Sequence, residues 1–436
     1  MLQILSFPTL SWLFFLFILL PPGPWKLTLI GNLHQLKSGS LLLSWMNLRH
    51  PNSQQLQLGE ILAIVVSSPE IAKEVLHAHD TVFINRPTCL ALEIMSYGHS
   101  GIVFTPYGDY WRQMRKISVM ELLSAKRVQS FRSIREEEAL NLVESISLSE
   151  GLPINLSEKL LSMAYGVTSR AATGAKCRHG KEFISLVREI LLMSGGFDLP
   201  DLFPSLKFLG FLTGMKSISE KMHRKTDRIL EDIIKQKMER STNSSSAGYD
   251  ESADHEDLVD VLLKLHEKGG LDFDITRDHI KAMTLKLDYL RALRLHPPGA
   301  LIQRESMEKC QISGHEIPSN TQIMINAWAI GRDPDNWIDA DCFRPERFQG
   351  FCVDFEGSNF ELIPFGRGRR MCPGIPFALP TVVLALLNHY KRTLISTYLS
   401  KKQKNFTMSE SYGSATKKRN DDLYVIASAL PWVVGG

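Results

Sequence analysis

The chain has 436 residues, 44% of them hydrophobic and 22% charged, with a formal net charge of +3. That length accommodates one unusually large folded unit or about two or three average domains, and the composition excludes wholesale disorder and a polytopic membrane protein. A charge so near neutral gives no support to nucleic-acid binding, which needs a concentrated basic face.

From Leu2 to Leu20 no residue is charged, and Trp12 to Leu20 is apolar throughout. As a helix this stretch would reach about 28 Å, close to the hydrocarbon thickness of a bilayer. Pro8 and the lack of a basic cluster after Leu20 make the span marginal. The missing basic n-region and cleavage site nevertheless favour an uncleaved single-pass anchor at residues 1–20 over a removed signal. Pro21-Pro22-Gly23-Pro24 cannot be helical and reads as a stiff spacer, opening a hinge and linker over residues 21–60.

Ile61 to Val66 is a β-branched run and predicts a strand. Ser68-Pro69-Glu70 then gives a serine cap, a proline at the first position and an acid in the first turn, a helix start whose apolar face is Ile71, Ala72, Val75 and Leu76. Helical spacing recurs at Val128, Phe131, Ile134, Leu140 and Val143, and again at Met222, Ile229, Ile233 and Ile234. Residues 241–256, rich in Ser, Asp and Glu, predict an exposed connection. Cys89, Cys177, Cys310, Cys342, Cys352 and Cys372 form no C-x-x-C pair, which suits a reducing compartment without a disulfide framework.

The stretch Pro364-Phe365-Gly366-Arg367-Gly368-Arg369-Arg370-Met371-Cys372-Pro373-Gly374 concentrates glycine and arginine around one cysteine. Read blandly, it is a basic surface loop with a buried thiol. Read chemically, it suits a thiolate ligand to haem iron: glycine lets the backbone approach a porphyrin, amides can hydrogen-bond the sulfur, and arginine pairs with carboxylates. Rival motifs fail. Gly366-Arg367-Gly368 opens a dinucleotide fingerprint, but Met371 stands at the third glycine. His266-Glu267 and His315-Glu316 lack the second histidine of a zinc-protease helix, and no G-x-S-x-G elbow occurs.

The loop matches F-x-x-G-x-R-x-C-x-G at Phe365, Gly368, Arg370, Cys372 and Gly374 and resembles the haem-binding signature of the cytochrome P450 superfamily. Trp111-Arg112-Gln113-Met114-Arg115, Arg294-Leu295-His296-Pro297-Pro298 and Pro345-Glu346-Arg347-Phe348 follow in the order of plant microsomal members, most similar to those oxidising terpenoids and other small apolar metabolites. The resemblance covers most of residues 21–374. It implies a mainly α fold with small β-sheets and a catalytic unit over residues 61–436. Cys372 would be the metal ligand to haem b, and Phe365 would pack beside the sulfur. Trp111, Arg115, Arg304 and Arg370 would meet the haem propionates. Ala91 to Phe104, Leu192 to Phe203, Pro298 to Gln303 and Ser409 to Ala415 would line the substrate pocket. The resemblance further implies oxidation of a small apolar substrate by dioxygen, electrons from NADPH through NADPH–cytochrome P450 reductase, and anchorage in the endoplasmic reticulum membrane with the body in the cytosol.

Two features of that family are missing. The A/G-G-x-D/E-T pattern of the distal helix, which carries the acid–threonine pair, occurs nowhere, so no catalytic residue is assigned. The chain passes almost directly from Asp278-His279-Ile280-Lys281-Ala282 to Leu287-Asp288-Tyr289-Leu290, and most of that helix after residue 282 is absent. Thr276 to Met283 supplies only about two turns. In the E-x-x-R motif Arg294 matches the arginine, but Arg291 replaces the glutamate that would bridge to Arg347. Loss of one partner from a buried ion pair costs roughly 3–5 kcal/mol. Gly39 to Gln55 and Asn388 to Lys404 also fit the family poorly. The alternative expectation is therefore a truncated, non-catalytic remnant.

Overall fold

The computed structural model describes residues 23–35, 54–149, 152–174, 179–193, 198–206, 213–244, 297–341, 359–394, 410–412, 416–418, 424–426 and 428–429. The expected anchor, the Thr276–Met283 remnant, Arg291, Arg294 and Arg347 lie outside these residues. Among the described residues no helix is long and apolar enough to cross a membrane.

The main sheet contains β1 (Gln54–Leu58), β2 (Ile61–Val66), β3 (Leu301–Glu305) and β4 (Gln322–Asn326), in spatial order β1-β2-β4-β3. β2 forms as the β-branched run predicts, antiparallel to β1 and parallel to β4. β4 lies inside the sheet and is buried at every position, which fits its unbroken apolar core Ile323-Met324-Ile325. β3 closes the far edge, antiparallel to β4, and its outer side takes up the segment before Arg86 through the Asn85–Glu305 bridge. Period-two alternation in β3 turns Ile302 and Arg304 inward together. A cation thus follows an isoleucine into the interior.

Helix α1 (Pro69–Lys73) begins where the capping signal places it, with the Ile71 N–H donating to Ser68 Oγ at 3.2 Å. Ile71, Ala72, Val75 and Leu76 are buried against Ile323 and Ile325 of the sheet. Farther along come α2 (Leu90–Met95), α3 (Asp109–Ile117), α4 (Arg132–Ser147), α5 (Leu156–Thr173), α6 (Gly180–Met193), α7 (Met215–Ser244) and α8 (Ile375–Arg392).

The structure departs from the expected periodicity in two places. The helix read through Val128 and Val143 is two helices, Ala125–Ser130 and α4, which meet at Phe131, and Leu140 is exposed. Ser124 caps the first of them, and the break lets Phe131 pack edge-on against Phe377 of α8 at 6.1 Å. Residues 241–244 of the connection expected over 241–256 instead continue α7, and the rest of it lies outside the described residues. α7 otherwise buries Met222, Ile229 and Ile234 as its spacing implies.

Met114 and Ile117 of α3, Val167 and Ala171 of α5, Phe131 and Phe377 share one core cluster. This cluster joins the middle helices to the segment that follows Cys372. Phe131 is 1% exposed. Phe131→Ala is expected to lower stability by about 3–5 kcal/mol, as truncation of a fully buried aromatic does. A chemical-denaturation midpoint within error of the wild type would contradict the packing described.

Candidate functional site

The cysteine loop turns on two glycines with left-handed backbone, Gly366 at φ 70° and Gly368 at φ 71°. Gly368–Arg370 winds into a 3-10 turn, and the Cys372 N–H closes the loop on the Phe365 carbonyl at 3.2 Å. Three residues later α8 begins, so Cys372 sits at the N-terminus of a long helix, where unpaired amides and the helix dipole favour an anion. The backbone amides of Gly374 and Ile375 hydrogen-bond its sulfur. Burial pushes the Cys372 thiol pKa up, and these amides together with Arg115 and Arg86 oppose that rise. The thiol is free.

Arg370 is the brace of the loop. It is 4% exposed, and its guanidinium donates Nε to Ile84 O at 2.9 Å, Nη1 to Ile102 O at 3.1 Å and Nη2 to Thr105 O at 2.6 Å. Its Cζ lies 4.3 Å from the centre of the Trp111 ring, a stacked cation–aromatic contact. Trp111 is buried on α3 and donates its indole N–H to Ile102 O at 3.0 Å. Three of the five Arg370 N–H groups therefore hold the cysteine loop to residues 84–105.

Arg304 on β3 is fully buried and donates to the carbonyls of Gln303 and Arg367 at 3.3 and 3.1 Å. Its Nε is closed to solvent with no hydrogen-bond partner, as is the Nε of Arg86. Arg115, one turn beyond Trp111 on α3, and Arg86 both act electrostatically on Cys372. These groups form one like-charged set. Burial, then Arg86 and Arg115, push Arg370 down to about 9, and burial pushes Arg86 down to about 10. Arg304 is lowered further by burial and by Arg86 and Arg370, and Arg115 is lowered by burial. Guanidinium keeps its proton in proteins, so this downward pull marks cationic charge short of counter-anions. The orphaned Nε of Arg86 near a sulfur donor, with that of Arg304 next in the cationic set, fits a metal-centred ligand bearing carboxylates.

The structure thus gathers Trp111, Arg115, Arg304, Arg370 and Cys372 around one locus. Phe365, Gly368 and Gly374 shape its loop. Sequence reasoning did not single out Arg86 or Asp80. Arg86 belongs to the set because residues 82–85 join β3: Glu305 N–H donates to Asn85 O and Met307 N–H to Val82 O, each at 2.9 Å. Asn85-Arg86-Pro87 carries no local signal beyond an extended residue before proline.

The cytochrome P450 family profile matches residues 21–288 and 292–419. A melianol synthase from Ailanthus altissima is 43% identical, over 94% of this chain and 90% of its own. A premnaspirodiene oxygenase from Hyoscyamus muticus is 41% identical, over 94% and 92% respectively. A zebrafish cytochrome P450 solved with progesterone superposes with a TM-score of 0.68 at 19% identity, covering 89% of this chain and 99% of that one. The chain belongs to the cytochrome P450 family of oxidoreductases, which implies a haem with cysteine thiolate ligation, and its fold is mainly helical with small sheets. The alignment with the melianol synthase runs over 469 positions while spanning 94% of 436 residues, so several dozen positions of that relative have no counterpart here.

A Cβ at Gly368 would run into Asp80 Oδ1 and lie 2.6 Å from the Leu76 carbonyl, whereas at Gly366 it would meet only Ile302 at 3.8 Å. Both positions carry the left-handed penalty of about 1–2 kcal/mol. Overpacking adds roughly 1–3 kcal/mol at Gly368 alone. Gly368→Ala is therefore expected to lower the melting temperature clearly more than Gly366→Ala. Equal losses in thermal denaturation would contradict the close approach of the loop to Asp80.

Proposed function

We propose that the chain binds haem b through the Cys372 thiolate and belongs, by its site, to the haem-thiolate monooxygenases acting on small apolar, terpenoid-like metabolites. The observation that carries this reading is the sulfur at the start of α8, held by two amides and faced by Arg115 and by Arg86, whose buried Nε lacks an acceptor. Bound haem supplies an iron centre at which dioxygen is reduced and one oxygen atom passes to a substrate C–H bond. The chain's own residues supply the socket. Gly374 and Ile375 amides temper the donor strength of the sulfur. Arg86, Arg115 and Arg304 take the haem carboxylates, while Arg370 and Trp111 lock the loop that presents Cys372. Phe365 flanks the sulfur and limits water there.

Electrons would come from NADPH through the separate NADPH–cytochrome P450 reductase, and residues 1–20 would anchor the protein in the endoplasmic reticulum membrane. Exposed Trp25 and Leu29, just past the proline spacer, suit a segment lying at a bilayer surface. The melianol synthase and premnaspirodiene oxygenase relatives support the terpenoid-like class.

A second reading concerns turnover. The family match breaks between residues 288 and 292, next to the point where the distal helix runs out, and no acid–threonine pair stands in the sequence. The chain is therefore proposed to keep its haem socket while its oxygen activation is impaired.

The test is the reduced, carbon-monoxide difference spectrum of the full chain supplied with haem. The wild type is expected to give a strongly red-shifted Soret band that disappears in Cys372→Ala. Arg86→Ala and Arg115→Ala are each expected to weaken haem retention roughly ten- to hundredfold, the loss of one charge-assisted contact. No haem uptake by the wild type would overturn the haem reading. Brisk substrate oxidation with reductase and NADPH would overturn the impairment.

A further inference from the structure

Asp80 lies just past the turn that follows α1, and neither the motif nor the proposed chemistry uses it. Its side chain is 14% exposed, yet the acid is surrounded by the cysteine loop. Oδ2 accepts the Arg369 backbone N–H at 3.1 Å and stands 3.8 Å from Arg369 Nε. Oδ1 is buried, has no hydrogen-bond partner and packs against Gly368, where any side chain would collide with it. One carboxylate therefore touches Gly368 and Arg369, the first two residues of the Gly368–Arg370 turn that leads to Cys372. It is also the carboxylate whose charge offsets Arg304 and Arg370.

We infer that Asp80 is a positioning residue for the haem-thiolate centre: it clamps the turn that presents Cys372 and supplies a fixed negative charge to the arginine set around it. This inference rests on the haem-thiolate reading. The thiolate, the two haem carboxylates and Asp80 together set four negative groups against the guanidiniums of Arg86, Arg115, Arg304 and Arg370. An anion fixed beside the centre opposes the arrival of an electron, so its removal favours the reduced form. The clamp and the charge are separable. Asn at this position keeps an acceptor for the Arg369 N–H without the charge, and Ala removes both.

The experiment compares the full-length wild type with Asp80→Asn and Asp80→Ala in two measurements. In the first, iodoacetamide labelling of Cys372 in haem-free protein is followed by peptide mass spectrometry, with Cys89 and Cys310 as internal references. Asp80→Ala is expected to label Cys372 roughly ten- to hundredfold faster, since a lost charge-assisted hydrogen bond shifts local opening by that factor, and Asp80→Asn by less. In the second, spectroelectrochemical titration of haem-loaded protein is expected to show a more positive reduction potential in Asp80→Asn than in the wild type. Unchanged Cys372 labelling in Asp80→Ala would overturn the clamp, as would equal acceleration at Cys89 and Cys310, which reports general loosening. An unchanged or more negative potential in Asp80→Asn would overturn the charge role. A wild type that takes up no haem defeats the haem-thiolate reading and with it the charge role, while the labelling still decides the clamp.

Discussion

The site depends on how one interior holds several guanidiniums close together. Arg304 arrives on an inward position of β3, Arg86 on the segment paired to that strand, Arg115 on α3 and Arg370 on the cysteine loop. Buried charges of one sign are costly unless hydrogen-bonded and paired. The fold meets part of that cost with main-chain carbonyls. Ile84, Ile102 and Thr105 accept from Arg370, and Gln303 and Arg367 accept from Arg304. These dipoles share the charge without cancelling it. What remains is an excess of positive charge around a sulfur atom, an arrangement that suits an anionic partner.

The same contacts explain why the cysteine loop has a defined shape. Its glycines supply turns that other residues resist, but nothing local would stop such a loop from moving. Arg370 fastens it to residues 84–105 and Asp80 to the end of the α1 region, while Phe377 ties the following helix into the main core through Phe131. A ligand atom must be held to a fraction of an ångström by its support as well as by its own backbone. Here the support comes from parts of the chain more than two hundred residues away.

That distance sets what could be read from the sequence. β2 and the start of α1 are local events, a β-branched run and a capping serine, and both formed where expected. The cysteine loop was legible because its glycine, arginine and cysteine spacing is itself the backbone instruction. The break at Phe131 was not, since helical periodicity continues through it and only burial against Phe377 interrupts it. Arg86 and Asp80 were illegible for the same reason. Asp80 has no motif around it, and Arg86 gains its place through the pairing of residues 82–85 with β3, which no single segment encodes.

The break in the family match falls between the two halves of this construction, and the halves meet without passing through it. β2 pairs directly with β4, residues 82–85 pair directly with β3, and Arg370 bonds directly to Ile84, Ile102 and Thr105. Arg370 makes three of these contacts, Arg304 lies on β3, and Asp80 bonds the neighbouring Arg369. The family match is interrupted only over residues 289–291, outside the segments that make these contacts. On the haem-thiolate reading, haem retention would rest on these contacts and turnover on another part of the chain, so the first could persist after the second had failed.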